Sequence, residues 1–388
     1  MYTFYMAILN GIDRILTENF GLKKKRLGLI TNHSGVTKSL VSTIDILKNN
    51  FDLRALFGPE HGVRGDIQAG GKVDTYTDKR TGLPVYSIYG EGQKKDAAGN
   101  RPDPDMLKNI DMLLIDIQDV GCRYYTFEST MYNSMEECAK TGKTFVVLDR
   151  INPINGADAE GNILDINFKS FIGIGPVPNR HGMTMGELAQ YYNKECKIGC
   201  KLKVIPLSGW KREMYCDKAG FHWVTPSPNI PNIDSALLYP GTCLFEGTTI
   251  SEGRGTTRPF EQIGAPWLDA EALADTMNSQ KHPGLIFRPA YFLPMFSKHE
   301  GEICRGVQLH ITNRRKMRPV AAAVNLMQAI REQNEEKFGW RKRPSGPYSI
   351  DLLAGTDILR KNSAKEYLEI CKKDSAEFIE KRKPYLLY

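Results

Sequence analysis

The chain has 388 residues, 41% of them hydrophobic and 25% charged, with a formal net charge of +7. That composition belongs to a globular protein long enough for two domains, and it excludes a disordered, fibrous or disulfide-stapled chain. The positive charge is split among short clusters (23–26, 314–316, 341–343) without interleaved aromatic residues, so these read as solvated faces and no nucleic-acid partner is expected.

Residues 26–30 form an apolar strand that exits into Asn32, His33, Ser34 and Gly35. The spacing of Leu40, Ile44 and Leu47 predicts a helix from about 37 to 50, and a second strand over 53–57 completes a βαβ unit. Gly58-Pro59 stops that strand abruptly and throws Glu60 and His61 clear of the sheet. In an open α/β sheet, ligands bind beyond the carboxyl ends of the strands, so these two residues are candidates by position. A lone Glu-His pair is ordinarily a surface ion pair; the other strand exits are what raise it above that.

The polar segment 65–82 reads as a long active-site loop, with Asp66, Gln68 and Asp74 as residues that could face a ligand among otherwise solvated charges. Further strands are expected over 83–88, 111–117 and 145–148, and a helix over 126–141. The strand exits therefore carry Asn32 and His33, Glu60 and His61, Asp116, Asp119 and Arg123, and Asp149 and Arg150. A parallel sheet gathers such exits on one edge, and it is their convergence, more than any single charge, that favours a site. Neither G-x-G-x-x-G nor G-x-x-x-x-G-K-[ST] is present, so the sheet need not carry a nucleotide and no cofactor is expected. Gly90-Glu91-Gly92 and Gly253-Arg254-Gly255 are read as loop glycines.

Beyond Pro153, Asn179-Arg180-His181-Gly182 precedes a helix opened by Thr184 with Glu187 as its capping-box partner, and a short strand follows over 201–206. The Pro-rich segment 226–232 can be neither helix nor central strand, so it is a rigid connection and one lip of a cleft. Segment 246–261 has three carboxylates, two guanidiniums and five hydroxyls around a single aliphatic residue. A stretch with so little to bury persists as an exposed hairpin or because a ligand or a dense hydrogen-bond network organises it. Arg254 or Arg258 suits a carboxylate, on a substrate or on Glu246 or Glu252.

From about Trp267 the pattern changes to α+β, with helices over 268–280, 319–333 and 364–381 and strands over 285–292 and 303–311. The fold class expected is α/β: a Rossmann-like, mostly parallel sheet domain over 1–265 carrying the catalytic loops, and a smaller α+β domain over 266–388 closing the cleft. Of the eight cysteines only Cys196 and Cys200 are close, and without a second pair they read as free thiols, with no metal expected. No run approaches the roughly 20 apolar residues of a membrane span. The opening MYTFYMAILNG lacks an export signal, so a cytoplasmic location is expected for the chain as given, and a periplasmic or secreted one if such a signal has been lost.

The motifs FGPEHGVRG, IDIQDVGCRYYTF, LDRINPING, NRHGMTMGELA and GTCLFEGTTISEGRGTTRPFE resemble those of the NamZ-type exo-β-N-acetylmuramidases, and the resemblance runs from Gly11 to the terminal helix. It implies a Rossmann-like domain, a C-terminal α/β domain and a cleft that removes N-acetylmuramic acid from the non-reducing ends of peptidoglycan glycans or muropeptides. It also implies that Glu60 is a catalytic carboxylic acid. Glycoside cleavage needs such an acid and normally a second carboxylate. Glu252 is the first choice for that role and Glu246 the next, unless the substrate's acetamido oxygen attacks. Arg254, or Arg123 beside Tyr124, suits the lactyl carboxylate of muramic acid. Asn32, His61, Arg64, Asp116, Asp149, Arg150, His181 and Thr257 complete the expected substrate-binding set. A non-catalytic glycan-binding protein, or a hydrolase using metal held by His33, His61, His181 and the aspartates, are the alternatives.

Overall fold

The computed structural model describes residues 7–65, 67, 71, 75–89, 101–344 and 346–388. Asp66, Gln68, Asp74 and Gly90-Glu91-Gly92 lie outside them. Seven strands form the larger sheet: β1 (Arg26–Thr31), β2 (Asp52–Gly58), β3 (Tyr76–Thr77), β4 (Pro84–Ser87), β5 (Met112–Asp116), β6 (Thr144–Leu148) and β7 (Lys201–Ile205), in the order β3-β4-β2-β1-β5-β6-β7. All neighbours are parallel except the β3/β4 pair. The chain moves outward from β1 to β4, then returns to β5 on the other side of β1, which is the Rossmann-like arrangement.

Both faces of this sheet are covered, which is why its strands read as continuous apolar runs. Leu27, Leu29, Leu114, Val146 and Leu148 pack with Ile12 of α1 (Gly11–Arg14) and with Ile44 and Leu47 of α2 (Thr43–Asn50). Ile30, Phe57, Leu113, Ile115, Phe145 and Val147 point the other way, toward α3 (Phe127–Thr141) and α4 (Met185–Glu195). Helix α2 starts six residues later than the spacing suggested (Thr37 against Thr43). Leu40 takes a left-handed φ of 64° and stays half exposed, and Ser42 caps Ile44 instead. The capping box of Thr184 and Glu187 forms at the start of α4.

The remaining chain builds α5 (Ile233–Thr242), β8 (Gln262–Ala265), α6 (Ala270–Ser279), β9 (Leu285–Phe292), β10 (Cys304–Ile311), α7 (Pro319–Gln333), α8 (Ser349–Ala354), α9 (Ile358–Lys361) and α10 (Ala364–Lys381). Its sheet is antiparallel in the order β8-β10-β9, with α6 packed on β9 and β10, and α5 packs on α7. The division expected after residue 265 therefore falls in the wrong place. β8 hydrogen-bonds to β10 and α5 lies on α7, so both belong with the C-terminal layer. Helix α5 escaped the sequence reading because it follows the Pro-rich lip directly and carries Pro240 inside it. One buried cluster runs from Phe57 and Phe145 through Tyr239 to Phe287 and Val320, so the two layers share a core.

Candidate active site

In a sheet of this order a nucleotide would lie at the switch point between β1 and β5. Here that crevice is filled by the chain itself. Asn32 accepts from the Ser34 N–H (2.9 Å) and hydroxyl (2.6 Å) and donates to the carbonyl of Pro226 (3.3 Å), while His33 meets the carbonyl of Thr225. Gln118 N–H donates to Ser34 across the gap at 3.0 Å.

The open hollow lies to one side, past the ends of β2, β4 and β5. It measures 250 Å³ and is walled by Glu60, His61, Tyr89, Tyr124, Tyr125 and Thr126 from the sheet loops, by Ser227 and Ile230 from the Pro-rich lip, and by Tyr239, Glu246, Arg254 and Phe260 from the C-terminal layer. Glu60 is thrown into it because His61 turns left-handed, with φ 72°, and the Gly62 N–H closes the turn onto the Pro59 carbonyl at 2.9 Å. The Thr126 hydroxyl donates to Glu60 Oε2 at 2.5 Å, and the Tyr89 hydroxyl lies 3.4 Å from Oε1. Burial, with Glu60 adding to it, raises the Tyr89 phenol, so it keeps its proton. Burial likewise holds Tyr124, Tyr125 and Tyr239 neutral. Phe260, on the opposite wall, is a second non-glycine residue in the left-handed region, with φ 64°. It packs edge-on to Tyr239 at 4.7 Å and lies under Arg254 at 5.1 Å. Strain at two facing wall residues, each fixed by its surroundings, is the pattern of a preorganised site.

Segment 246–261 is organised by charge. Arg254 Nη2 binds Glu246 Oε1 at 2.6 Å and its Nε lies 3.4 Å from Glu252 Oε1, while Lys298 Nζ meets Glu252 Oε2 at 2.6 Å. Burial opposes ionisation of Glu252, but Lys298 and Arg254 outweigh it and pull the carboxyl below its usual range. Burial also works against the Arg254 charge, and Glu246 and Glu252 more than offset it.

Of the residues expected from the sequence, Glu60, His61, Tyr124, Glu246 and Arg254 meet around the hollow. Glu252 does not face it. That carboxylate is 1% exposed, sandwiched between Lys298 and Arg254 on the wall of a neighbouring cavity. Arg123 is enclosed, its guanidinium donating to the carbonyls of Asn162, Val177, Leu353 and Ala354, so it is no fork for a lactyl group. Asp116 and Arg150 form a buried ion pair (2.5 Å) that also takes the Thr43 hydroxyl. Asp149 accepts from Thr184, Gly186 and Tyr388, tying β6 to α4 and the chain end. His181 is buried 3.8 Å from Glu128. Asn32 is held inside the plugged crevice, Arg64 pairs with Asp78 at 2.6 Å, and Thr257 is solvent-exposed. Thr257 apart, these side chains are polar because they lock loops to one another, a use that a strand exit cannot reveal by itself.

Tyr89, Tyr125, Thr126, Tyr239 and Phe260 were missed. Tyr125 and Thr126 stood beside a noted residue and could have been found; Tyr239, inside an unrecognised helix, could not. Among the described residues no group of three His, Cys, Asp or Glu side chains is placed to hold a metal ion, and no helix is long and apolar enough to cross a membrane.

The sheet is Rossmann-like, its nucleotide crevice is plugged by its own chain, and a tyrosine-walled hollow is built around a glutamate. Comparison with known proteins gives the class to which this arrangement belongs. Residues 27–234 match the N-terminal and residues 237–388 the C-terminal family model of exo-β-N-acetylmuramidase NamZ. The chain belongs to that family of glycoside hydrolases. It is 46% identical, over 98% of its length and 91% of the relative's, to peptidoglycan β-N-acetylmuramidase NamZ of Bacillus subtilis (strain 168). Crystal structures of two DUF1343 family proteins from Bacteroides fragilis NCTC 9343 superpose with TM-scores of 0.88 and 0.76 at 38% and 31% identity, covering 98% and 99% of this chain and 99% of each of theirs.

Proposed function

We propose that this chain is an exo-β-N-acetylmuramidase, releasing N-acetylmuramic acid from the non-reducing end of peptidoglycan glycan fragments, and that the hollow beside Glu60 is where it does so. The observation that carries this is a carboxyl group held by Thr126 and Tyr89 in a hollow of 250 Å³, room for one amino-sugar ring and little more. A hollow of that size suits removal of residues one at a time from a glycan end.

Glu60 donates its proton to the glycosidic oxygen as the bond to C1 breaks, the general-acid role common to glycosidases. The other carboxylate on the described wall is Glu246, gripped by Arg254 at 2.6 Å and 3.2 Å. Such a clamped carboxylate is a poor nucleophile and a good orienting group. We therefore assign attack on C1 to the substrate's own 2-acetamido oxygen, with Glu246 steering it. The test is release of muramic acid from the disaccharide MurNAc-GlcNAc by the parent protein and by Glu60→Gln. A loss of about 10³-fold or more with an unchanged melting temperature is expected, and full turnover by the variant rejects the assignment. A muramic acid thiazoline should inhibit competitively; a trapped sugar ester on Glu246 would replace substrate assistance with a covalent route.

A further inference from the structure

Past the Glu246–Arg254 pair, the hollow adjoins a second cavity of 390 Å³ that shares those two residues and is completed by Asn229, Glu252, Phe296, Ser297 and Arg341. Phe296 sits on the connection between β9 and β10 and leaves 43% of its surface in water. That connection is not loose. Lys298 reaches inward to Glu252 (2.6 Å) and to the carbonyls of Phe245 (2.7 Å) and Thr248 (3.1 Å). Met295 N–H donates to the Gly255 carbonyl (3.0 Å), and Gly301 N–H to that of Pro294 (2.9 Å). The backbone lies so close to Gly255, itself at φ 83°, that a Cβ there would fall 2.5 Å from the Phe296 carbonyl oxygen. Ser297 and His299, on either side of Lys298, are both left-handed, with φ 75° and 58°. Strain of this kind persists only where the surroundings over-determine it. Here the result is to hold one apolar ring half out of water, beside amide, hydroxyl and guanidinium groups. A flat apolar face rimmed by hydrogen-bonding groups matches a sugar ring, which has apolar C–H faces and a polar rim.

We propose that this second cavity receives the hexosamine on the leaving side of the scissile bond, with Phe296 as the platform under its ring and Asn229, Ser297 and Arg341 meeting its polar rim. The assignment rests on the first hollow taking the terminal muramic acid. That hollow has room for one ring, so the glycan must continue beyond it, and the cavity that adjoins it is the one across the Glu246–Arg254 pair. Phe296 thereby sets specificity for the leaving group without touching the reacting atoms.

The test compares Phe296→Ala and Phe296→Trp with the parent on three substrates: MurNAc-GlcNAc, the 2,2,2-trifluoroethyl β-glycoside of MurNAc, whose leaving group is too small and too round to stack, and that glycoside carrying an L-Ala-D-isoGln arm on the lactyl group. Phe296→Ala should lower kcat/KM on the disaccharide about tenfold, mainly through KM, and leave the trifluoroethyl glycosides within about twofold, as expected for loss of one aromatic contact. Phe296→Trp should restore the disaccharide. Equal losses on all three, or none on the disaccharide, overturn the proposal; a loss confined to the peptide-bearing glycoside assigns the cavity to the stem peptide instead. Glu60→Gln in parallel separates the two readings. Undiminished turnover by that variant rejects the catalytic hollow, whereas a failed selectivity shift in Phe296→Ala rejects only the leaving-group subsite.

Discussion

The Thr126 hydroxyl donates to Glu60 Oε2 at 2.5 Å, joining the turn after β2 to the first residue before α3. Thr126 occupies the N-cap position of that helix but makes no side-chain cap bond, so among the described residues its hydroxyl serves Glu60. Thr126→Val should therefore slow muramic acid release by about tenfold, because this hydrogen bond strengthens as Glu60 gives up its proton in the transition state, while changing stability by less than about 1 kcal/mol. Thr126→Ser should recover the rate. Steady-state kinetics and thermal melts of both variants decide this, and a large drop in melting temperature for Val would show that the hydroxyl holds the helix instead.

His61 is 6% exposed and left-handed, and its Nδ1 lies 2.7 Å from the Ile67 carbonyl oxygen. Glycine adopts that conformation freely and alanine does not. His61→Gly and His61→Ala both lose the ring, so the difference between them isolates the backbone. Chemical denaturation should find the glycine variant about 1 kcal/mol the more stable. Equal stability would mean that the turn relaxes and stores nothing.

Glu252 and Lys298 form an ion pair at 2.6 Å with the carboxylate fully enclosed. Removing one partner strands the other, so Lys298→Met should cost about 3 kcal/mol, and Lys298→Met combined with Glu252→Met less than the sum of the single changes. A double-mutant cycle by denaturant melts measures the coupling. Glu252→Gln should lose activity and stability together, unlike Glu60→Gln; loss of turnover in a fully stable Glu252→Gln protein would return Glu252 to the catalytic role it was first assigned.

Burial holds the Glu128 carboxyl well above its usual range, with Asp119 adding to the effect, and depresses His181 to about 3, with Arg382 and Arg180 contributing. Both are neutral in the folded protein. The unfolded chain releases the Glu128 proton above about pH 4.3, so the contribution of Glu128 to stability is whole below that value and declines as pH rises. The His181 effect has the opposite sense: its cost appears as pH falls below about 6.5, where the unfolded ring takes a proton that the folded one refuses. Glu128→Gln removes the first dependence and keeps the second. Its stability relative to the parent should climb by up to about 1.4 kcal/mol per pH unit above pH 4.3. Melts at intervals across the neutral range read the slope, and a constant offset would mean that Glu128 is ionised in the folded state.

Elements whose signals are local were legible in the sequence. Leu285–Phe292, Pro319–Gln333 and Ala364–Lys381 have the bounds that periodicity and capping indicate, and Thr184 caps α4 as its spacing with Glu187 requires. The sequence also placed Glu60, because Gly58-Pro59 ends a strand whatever surrounds it. Which polar loop residues face the hollow depends on packing between distant stretches of the chain. Arg123 and Asp116 look as functional in one dimension as Glu60 does, yet Arg123 satisfies carbonyls up to 231 residues away and Asp116 locks Arg150. The reverse holds for Tyr239 and Phe296, apolar in appearance and placed on the walls by α5 and by the Lys298 anchor. A buried charge must find its partner somewhere, and the sequence does not say whether that partner is a ligand or a distant stretch of the same chain.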